Sequence, residues 1–225
     1  MEINTIKVGA WLGALALMVN ASVASAVVLT FEGLQDFEYV DEFYNGGTGS
    51  LGSAGPDYDV VFGDGAAVLI DSDSGGTGNF ANEPSSDTAL TFNPFTGNTT
   101  MNVLSGFATG FSFYYSAGIA GTVTVYDALN ATGNLLGTIS LTANFDGNNC
   151  TGDPAGGFCN WDPIGLAFAG NAYSVSFAGS RDSVFYDNIT IGSETPGNVP
   201  APATIALLGL GLAGIRHQRR RRLTV

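Results

Sequence analysis

The chain has very little positive charge where a folded domain could use it. Of its seven Lys and Arg residues, Lys7 precedes the first apolar stretch and five arginines fall within positions 216–222. Arg181 alone stands between residues 27 and 198, against 19 acidic residues, a net charge of −18 for that interval. Nucleic acid and anionic lipid are held through Lys and Arg, so both are excluded as partners of this segment. Such acidity suits cations, and it also keeps an exported domain soluble. Histidine is scarcer still, since the only one, His217, lies among the terminal arginines. Ser-His-Asp and Cys-His nucleophiles and histidine-ligated zinc all need an imidazole beside the reacting atom, which removes those chemistries. A glycosidase needs only two carboxylates roughly 5 to 9.5 Å apart, yet spacing singles out no pair. The chain is read as non-enzymatic.

Long apolar runs are missing as well. The first, "VGAWLGALALMV", has 12 residues and is followed by "NASVASA", whose Ala24-Ser25-Ala26 is a small-x-small cleavage pattern. That is a secretory signal peptide over residues 1–26, because 12 apolar residues fall well short of the roughly 20 that span a bilayer as a helix. The second run, "ATIALLGLGLAGI" at residues 203–215, is a short C-terminal hydrophobic helix that spans only marginally. The arginines behind it stay cytoplasmic by the positive-inside rule, leaving the acidic segment outside. The precursor is thus expected to touch the inner membrane transiently.

Cysteine is limited to Cys150 and Cys159. An exported chain is expected to join them. A turn at Asp153-Pro154 within the eight intervening residues brings their Cα atoms into range, so the bridge pins a surface loop rather than the core. A lone cysteine pair without histidine cannot complete a tetrahedral zinc shell.

The middle of the chain holds short alternating runs broken by Gly, Asn, Asp and Ser, with no segment of helical period. Ten runs are candidate strands: "VVLTFEG", "DVVFG", "AAVLID", "ALTFNP", "TGFSFYYS", "GTVTVYDA", "LLGTISLTA", "GLAFAG", "AYSVSFAG" and "FYDNITIGS". Phe111, Phe113 and Tyr115 share one face, and Val123 and Val125 share another. The expectation is all-β: a two-sheet antiparallel β-sandwich of jelly-roll type over residues 27–193, with a linker at 194–198. On composition alone the Gly-rich stretches 45–57 and 71–80 are either ordered or mobile loops. Trp161, beside the expected disulfide, and Tyr114 and Tyr126, whose parity opposes the core-facing residues, are candidates for stacking on sugar rings. Trp161 also fits beneath its loop as a small satellite core. In "DSDSGGTGN", Asp71 and Asp73 at i, i+2 precede flexible glycines as calcium loops do, without completing an EF-hand.

The ending resembles the PEP-CTERM proteins of Gram-negative bacteria through Val199-Pro200-Ala201-Pro202, the apolar stretch to Ile215, and the arginines of positions 216–222. Ala201 stands where that family commonly has glutamate. The resemblance implies recognition by a membrane protease-transpeptidase, the exosortase, which removes the tail at residues 199–225 and passes the protein to the cell surface or extracellular matrix. The middle is similar to β-sandwich domains of jelly-roll carbohydrate-binding modules through an early "LTFEG" and a late "FYDNITIGS". That likeness implies a structural calcium held by Glu32 and Asp187, in competition with Asp71 and Asp73. Function is therefore expected to be that of an exported surface or matrix structural protein associated with exopolysaccharide. A calcium-stabilised carbohydrate-binding module is the alternative, and a carboxylate-based glycosidase stands behind both.

Processing at both ends is expected to leave a mature chain that begins at Val27 and ends near Val199-Pro200-Ala201-Pro202. Intact mass of the extracellular protein measures this, and retention of Arg219 to Arg222 in that form would favour simple anchoring over sorting.

Overall fold

The computed structural model describes residues 26–93, 97–146, 150–151, 156–178 and 183–197. The segment up to Ser25 that is expected to be a signal peptide, Arg181, the motif Val199 to Pro202 and the expected C-terminal helix lie outside the described residues. Within them the chain forms β1 (Val27–Leu29), β2 (Val60–Phe62), β3 (Ala66–Ile70), β4 (Thr88–Phe92), β5 (Thr100–Phe107), β6 (Gly110–Ala117), β7 (Gly121–Tyr126), β8 (Leu135–Leu141), β9 (Asp162–Ala167), β10 (Ala172–Ser176) and β11 (Val184–Ile191). Among the described residues no helix is long and apolar enough to cross a membrane.

The strands make two antiparallel sheets. One runs β3-β4-β11-β6-β9, with β1 also on β11, and the other runs β2-β5-β10-β7-β8. This is the two-sheet sandwich that the alternation predicts. Phe111, Phe113 and Tyr115 of β6 face inward with Val123 and Val125 of β7, and all five are buried. Aromatic rings fill the space between the sheets: Phe177 stacks on Phe92 at 4.7 Å between centroids and meets Tyr186 edge-on at 5.0 Å. Each such ring is worth about 1.5–3 kcal/mol on burial. Among the described residues every buried member of this core lies between Leu29 and Ile191.

Two strands depart from the alternating runs. β5 is a central strand, yet its alternation lasts only through Met101 and Val103 before exposed Leu104 and Ser105 break it. Gly106 then takes a left-handed φ of 72°, and the register against β10 shifts between Ala172 and Ser174. A bulge of this kind erases the period-two signal. β9 begins at Asp162, ahead of the expected run at Gly165, because an edge strand tolerates Pro163.

The edges of β2 and β3 are closed by the segment between β1 and β2. Phe37 N–H donates to Val68 O at 2.9 Å, Val68 N–H to Glu38 O at 3.0 Å, and Phe62 N–H to Asp41 O at 3.1 Å. Pairing these edges removes a template for aggregation. Glu38 anchors the arrangement from a fully buried position. Burial pushes its carboxyl up, but donation from Ser53, Gln35 and Leu51 outweighs burial and holds the group below its ordinary value. Gly49 is required here, since a Cβ would sit 2.5 Å from Glu38 Oε1. The Gly-rich stretches 45–57 and 71–80 are thus both ordered by main-chain hydrogen bonds, among them Gly49 N–H to Ser53 O at 2.9 Å and Gly78 N–H to Ile70 O at 2.7 Å.

Cys150 and Cys159 are bonded, with Cα atoms 5.2 Å apart. Cys159 is buried, so the bridge reaches inward from its loop to the rim of a satellite core built from Phe80, Ala89, Phe185, Phe158 and Trp161.

Glu38→Gln is expected to destabilise residues 27–197 by about 1–3 kcal/mol, because the amide cannot accept from all three N–H donors as the carboxylate does. Urea titration of the two proteins measures the difference, and equal midpoints would remove Glu38 from its anchoring role.

Candidate functional site

β11 changes partners along one side. Tyr186 pairs with Leu90 of β4, whereas Ile189 to Ile191 pair with Leu29 to Val27 of β1. Between these pairings lie Asp187 and Asn188. Val184 and Tyr186, then Ile189 and Ile191, belong to the core, so two consecutive residues leave the inward row together. Asn188 adopts φ 47° and the register against β6 shifts between Asp187 and Thr190. A bulge here re-aims both side chains into the gap where β1 and β4 diverge, and both are completely buried.

Ser85, from the loop entering β4, fills that gap. Its N–H and hydroxyl donate to Asp187 Oδ2 and Oδ1, each at 2.6 Å, and Asn188 N–H donates to Oδ1 at 2.6 Å. The same hydroxyl lies 3.2 Å from Thr30 O and 3.5 Å from Glu32 Oε1. One hydroxyl carries one proton. The shortest contact takes it to Asp187, leaving Thr30 O and Glu32 Oε1 facing oxygen. Thr88 Oγ1 donates to the other Glu32 oxygen at 3.3 Å. The Asn188 side-chain amide, buried beside this cluster, has neither its Oδ1 nor its Nδ2 hydrogen-bonded.

The electrostatics match the geometry. Burial, then the charge of Asp187, pushes the Glu32 carboxyl up to about 7. Burial likewise raises Asp187 to about 7, although the Ser85 and Asn188 donors pull it down, and Glu83 adds repulsion. Burial also raises Glu83. The structure therefore brings Glu32 and Asp187 together. An oxygen cluster of two carboxylates, a hydroxyl and a main-chain carbonyl fits a hard cation such as calcium. Among the described residues no three Asp, Glu, His or Cys side chains surround one point, so the neutral oxygens would have to complete any shell.

Asp71 and Asp73 are arranged differently. Asp71 is buried, Asp73 is exposed, and both line an open cavity of about 380 Å³ with Glu83 and Asp87. Ser74 Oγ donates to Asp87 Oδ1 at 2.8 Å and approaches Asp73 Oδ1 at 3.4 Å, as in a closed turn. The three aromatic candidates are dispersed. Half-buried Tyr114 sits on β6 opposite Asp187, while half-buried Tyr126 belongs to β7 in the other sheet. Trp161 precedes β9, donates its indole N–H to Ala81 O at 3.0 Å and packs edge-on against Phe80. Sequence reasoning missed Ser85 and Asn188. "SSD" and "DNIT" carried the only signal, as turn and bulge formers.

Fold and tail together define a secreted β-sandwich protein processed at its C-terminus. Residues 198–222 match the PEP-CTERM protein-sorting motif, so the chain carries the sorting signal of an exosortase substrate. Among curated proteins none matches the chain significantly by sequence. Two similar solved structures are carbohydrate-binding modules. The module CsCBM6-3 from Clostridium stercorarium, solved with cellobiose, is 18% identical over 47% of this chain and 74% of its own, with a TM-score of 0.32. The module CBM6cm-2 of Cellvibrio mixtus lichenase 5A, solved with cellotriose, is 16% identical over 60% of this chain and 91% of its own, with a TM-score of 0.33.

In chelator, Glu32 and Asp187 bind protons more tightly in the folded state than in the unfolded one, at about 7 against ordinary values of 4.5 and 3.8. Their contribution is fully present below the unfolded values and is lost as pH rises through the folded values. Glu38, shifted the other way, acts below that window. Melting temperature without divalent cations is therefore expected to fall from about pH 5 to about pH 8, and Asp187→Asn to flatten the fall. A rise across that interval would contradict the assignment.

Proposed function

We propose that the chain is exported, released from its sorting tail and displayed as a non-catalytic cell-surface or matrix protein. Its sandwich is clasped by a divalent cation between Glu32 and Asp187. The observation that carries the clasp is the pairing of buried Asp187 and half-buried Glu32 around a single Ser85 hydroxyl proton. Two carboxylates balance one divalent charge, and among the described residues there is no Lys, Arg or His to do so instead. Calcium suits the site because every candidate ligand is an oxygen and the geometry is irregular. The cation would join the first and last strands of the sandwich, and so stabilise the module where extracellular calcium is plentiful.

A second reading, association with exopolysaccharide or another surface glycan, is supported by Trp161. Its ring is half-buried and lines an open groove. The acidic surface gives that association no cationic handle, so it would rest on stacking and hydrogen bonds.

Saturating calcium is expected to raise the melting temperature of residues 27–197 over that in chelator. At 100-fold excess over Kd the linkage is about 2.7 kcal/mol, a shift on the order of 5–10 °C. Glu32→Gln or Asp187→Asn should abolish the response, while Asp71→Asn with Asp73→Asn should leave it. The reverse pattern would move the cation to the second loop, and an unresponsive wild type would remove it from both.

A further inference from the structure

We infer that the groove beside Trp161 is a binding site for the apolar face of a neutral pyranose, making an uncharged polysaccharide the partner of this domain. The inference rests on the glycan reading above and assigns it a site and a chemical class. The groove is an open cavity of about 500 Å³ lined by Asn82, Asn144, Thr151, Asn160, Trp161 and Asp162, with Cys159 at its base.

Among the described residues Trp161 supplies the only aromatic wall of this cavity. Its plane is set before any ligand arrives, because Ala81 O accepts the indole N–H at 3.0 Å and Phe80 packs at 86° to the ring. The satellite core accounts for the buried part of the indole. The remainder faces a cavity whose other described lining, Cys159 apart, is polar. An apolar ring set among hydrogen-bonding groups matches a sugar, which presents C–H bonds on one face and hydroxyls around its rim.

The polar walls are equally fixed. Asn144 Nδ2 donates to Asp162 Oδ2 at 3.0 Å and to Tyr115 O at 3.2 Å, while its Oδ1 accepts from Ala117 N–H at 2.7 Å. Asn160 Nδ2 donates to Asn144 O at 3.0 Å, and Asn82 Nδ2 to Cys159 O at 3.3 Å. The Cys150–Cys159 bond ties Thr151 to this wall. Rigid walls reduce the ordering cost of binding.

Asp162 selects the class. It is exposed, and its carboxylate, which accepts from Asn144 Nδ2, has further lone pairs to offer sugar hydroxyls. Uronic acids and sulfated sugars would bring a second negative charge to a surface whose described residues include no cation. Neutral sugars meet no such penalty.

Residues 27–197 contain Trp161 as their sole tryptophan, because the other, Trp11, lies in the signal segment. Indole emission therefore reports this groove alone. Neutral gluco-, manno- and galacto-configured hexasaccharides are titrated by fluorescence and by calorimetry, with hexagalacturonate as the acidic counterpart. Saturable emission change with at least one neutral sugar is expected at the calorimetric Kd. Hexagalacturonate and the Trp161→Ala variant should each bind about tenfold more weakly or worse. Calorimetric binding with unchanged indole emission would overturn the groove and leave glycan association standing. Tighter binding of hexagalacturonate would overturn the neutral class. Absence of heat with every sugar would overturn both the groove and the glycan reading.

Discussion

Nineteen carboxylates and one arginine have to share a folded interval of the chain, and most of the structure is shaped by how that imbalance is accommodated. Exposed acids such as Asp73 are left to water. Two buried ones, Glu38 and Asp187, meet similar local conditions with opposite results. Each is fully buried and each accepts from nearby N–H and hydroxyl donors. Glu38 is held below its ordinary value because main-chain donors converge on it from Gln35, Leu51 and Ser53. Asp187 goes the other way because burial dominates there and Glu83 adds like-charge repulsion, while Asp187 in turn raises Glu32. The first arrangement is complete in itself. The second contains oxygens in excess of protons, and that excess motivates the cation clasp.

The position of this pair follows from sheet topology. β1 is too short to cover all of β11, so β4 takes the rest of that side, and the bulge at Asp187 and Asn188 falls at the junction. Both ends of the described chain meet there. Val27 pairs with Ile191, and Gly197 N–H donates to Thr190 Oγ1 at 2.9 Å beside Val28. The two ends of the described chain therefore lie together at β1 in the six-stranded sheet.

Strands with sustained alternation were legible in the sequence. β6 announced itself through Phe111, Phe113 and Tyr115, and β7 through Val123 and Val125, because one face of each meets the core without interruption. β5 was not legible, since exposed Leu104 and the left-handed Gly106 break its period. The disulfide followed from there being two cysteines in an exported chain. Glu32 and Asp187 came from resemblance rather than spacing, as 155 positions of sequence separate them. Ser85, Asn188 and the nest around Glu38 depend on main-chain N–H directions, and a residue string carries no record of those. Trp161 was ambiguous for a physical reason: an indole can close a loop with one part of its ring while another part lines a groove.

Anomalous diffraction from crystals of residues 27–197 grown with calcium would reveal a cation between the first and last strands. The cation clasp requires an anomalous peak about 2.4 Å from oxygens of both Glu32 and Asp187, with Thr30 O or Ser85 Oγ completing the shell. An empty gap with the Ser85–Asp187 hydrogen bonds intact at saturating calcium, or a peak bound only at Asp71 and Asp73, would contradict it.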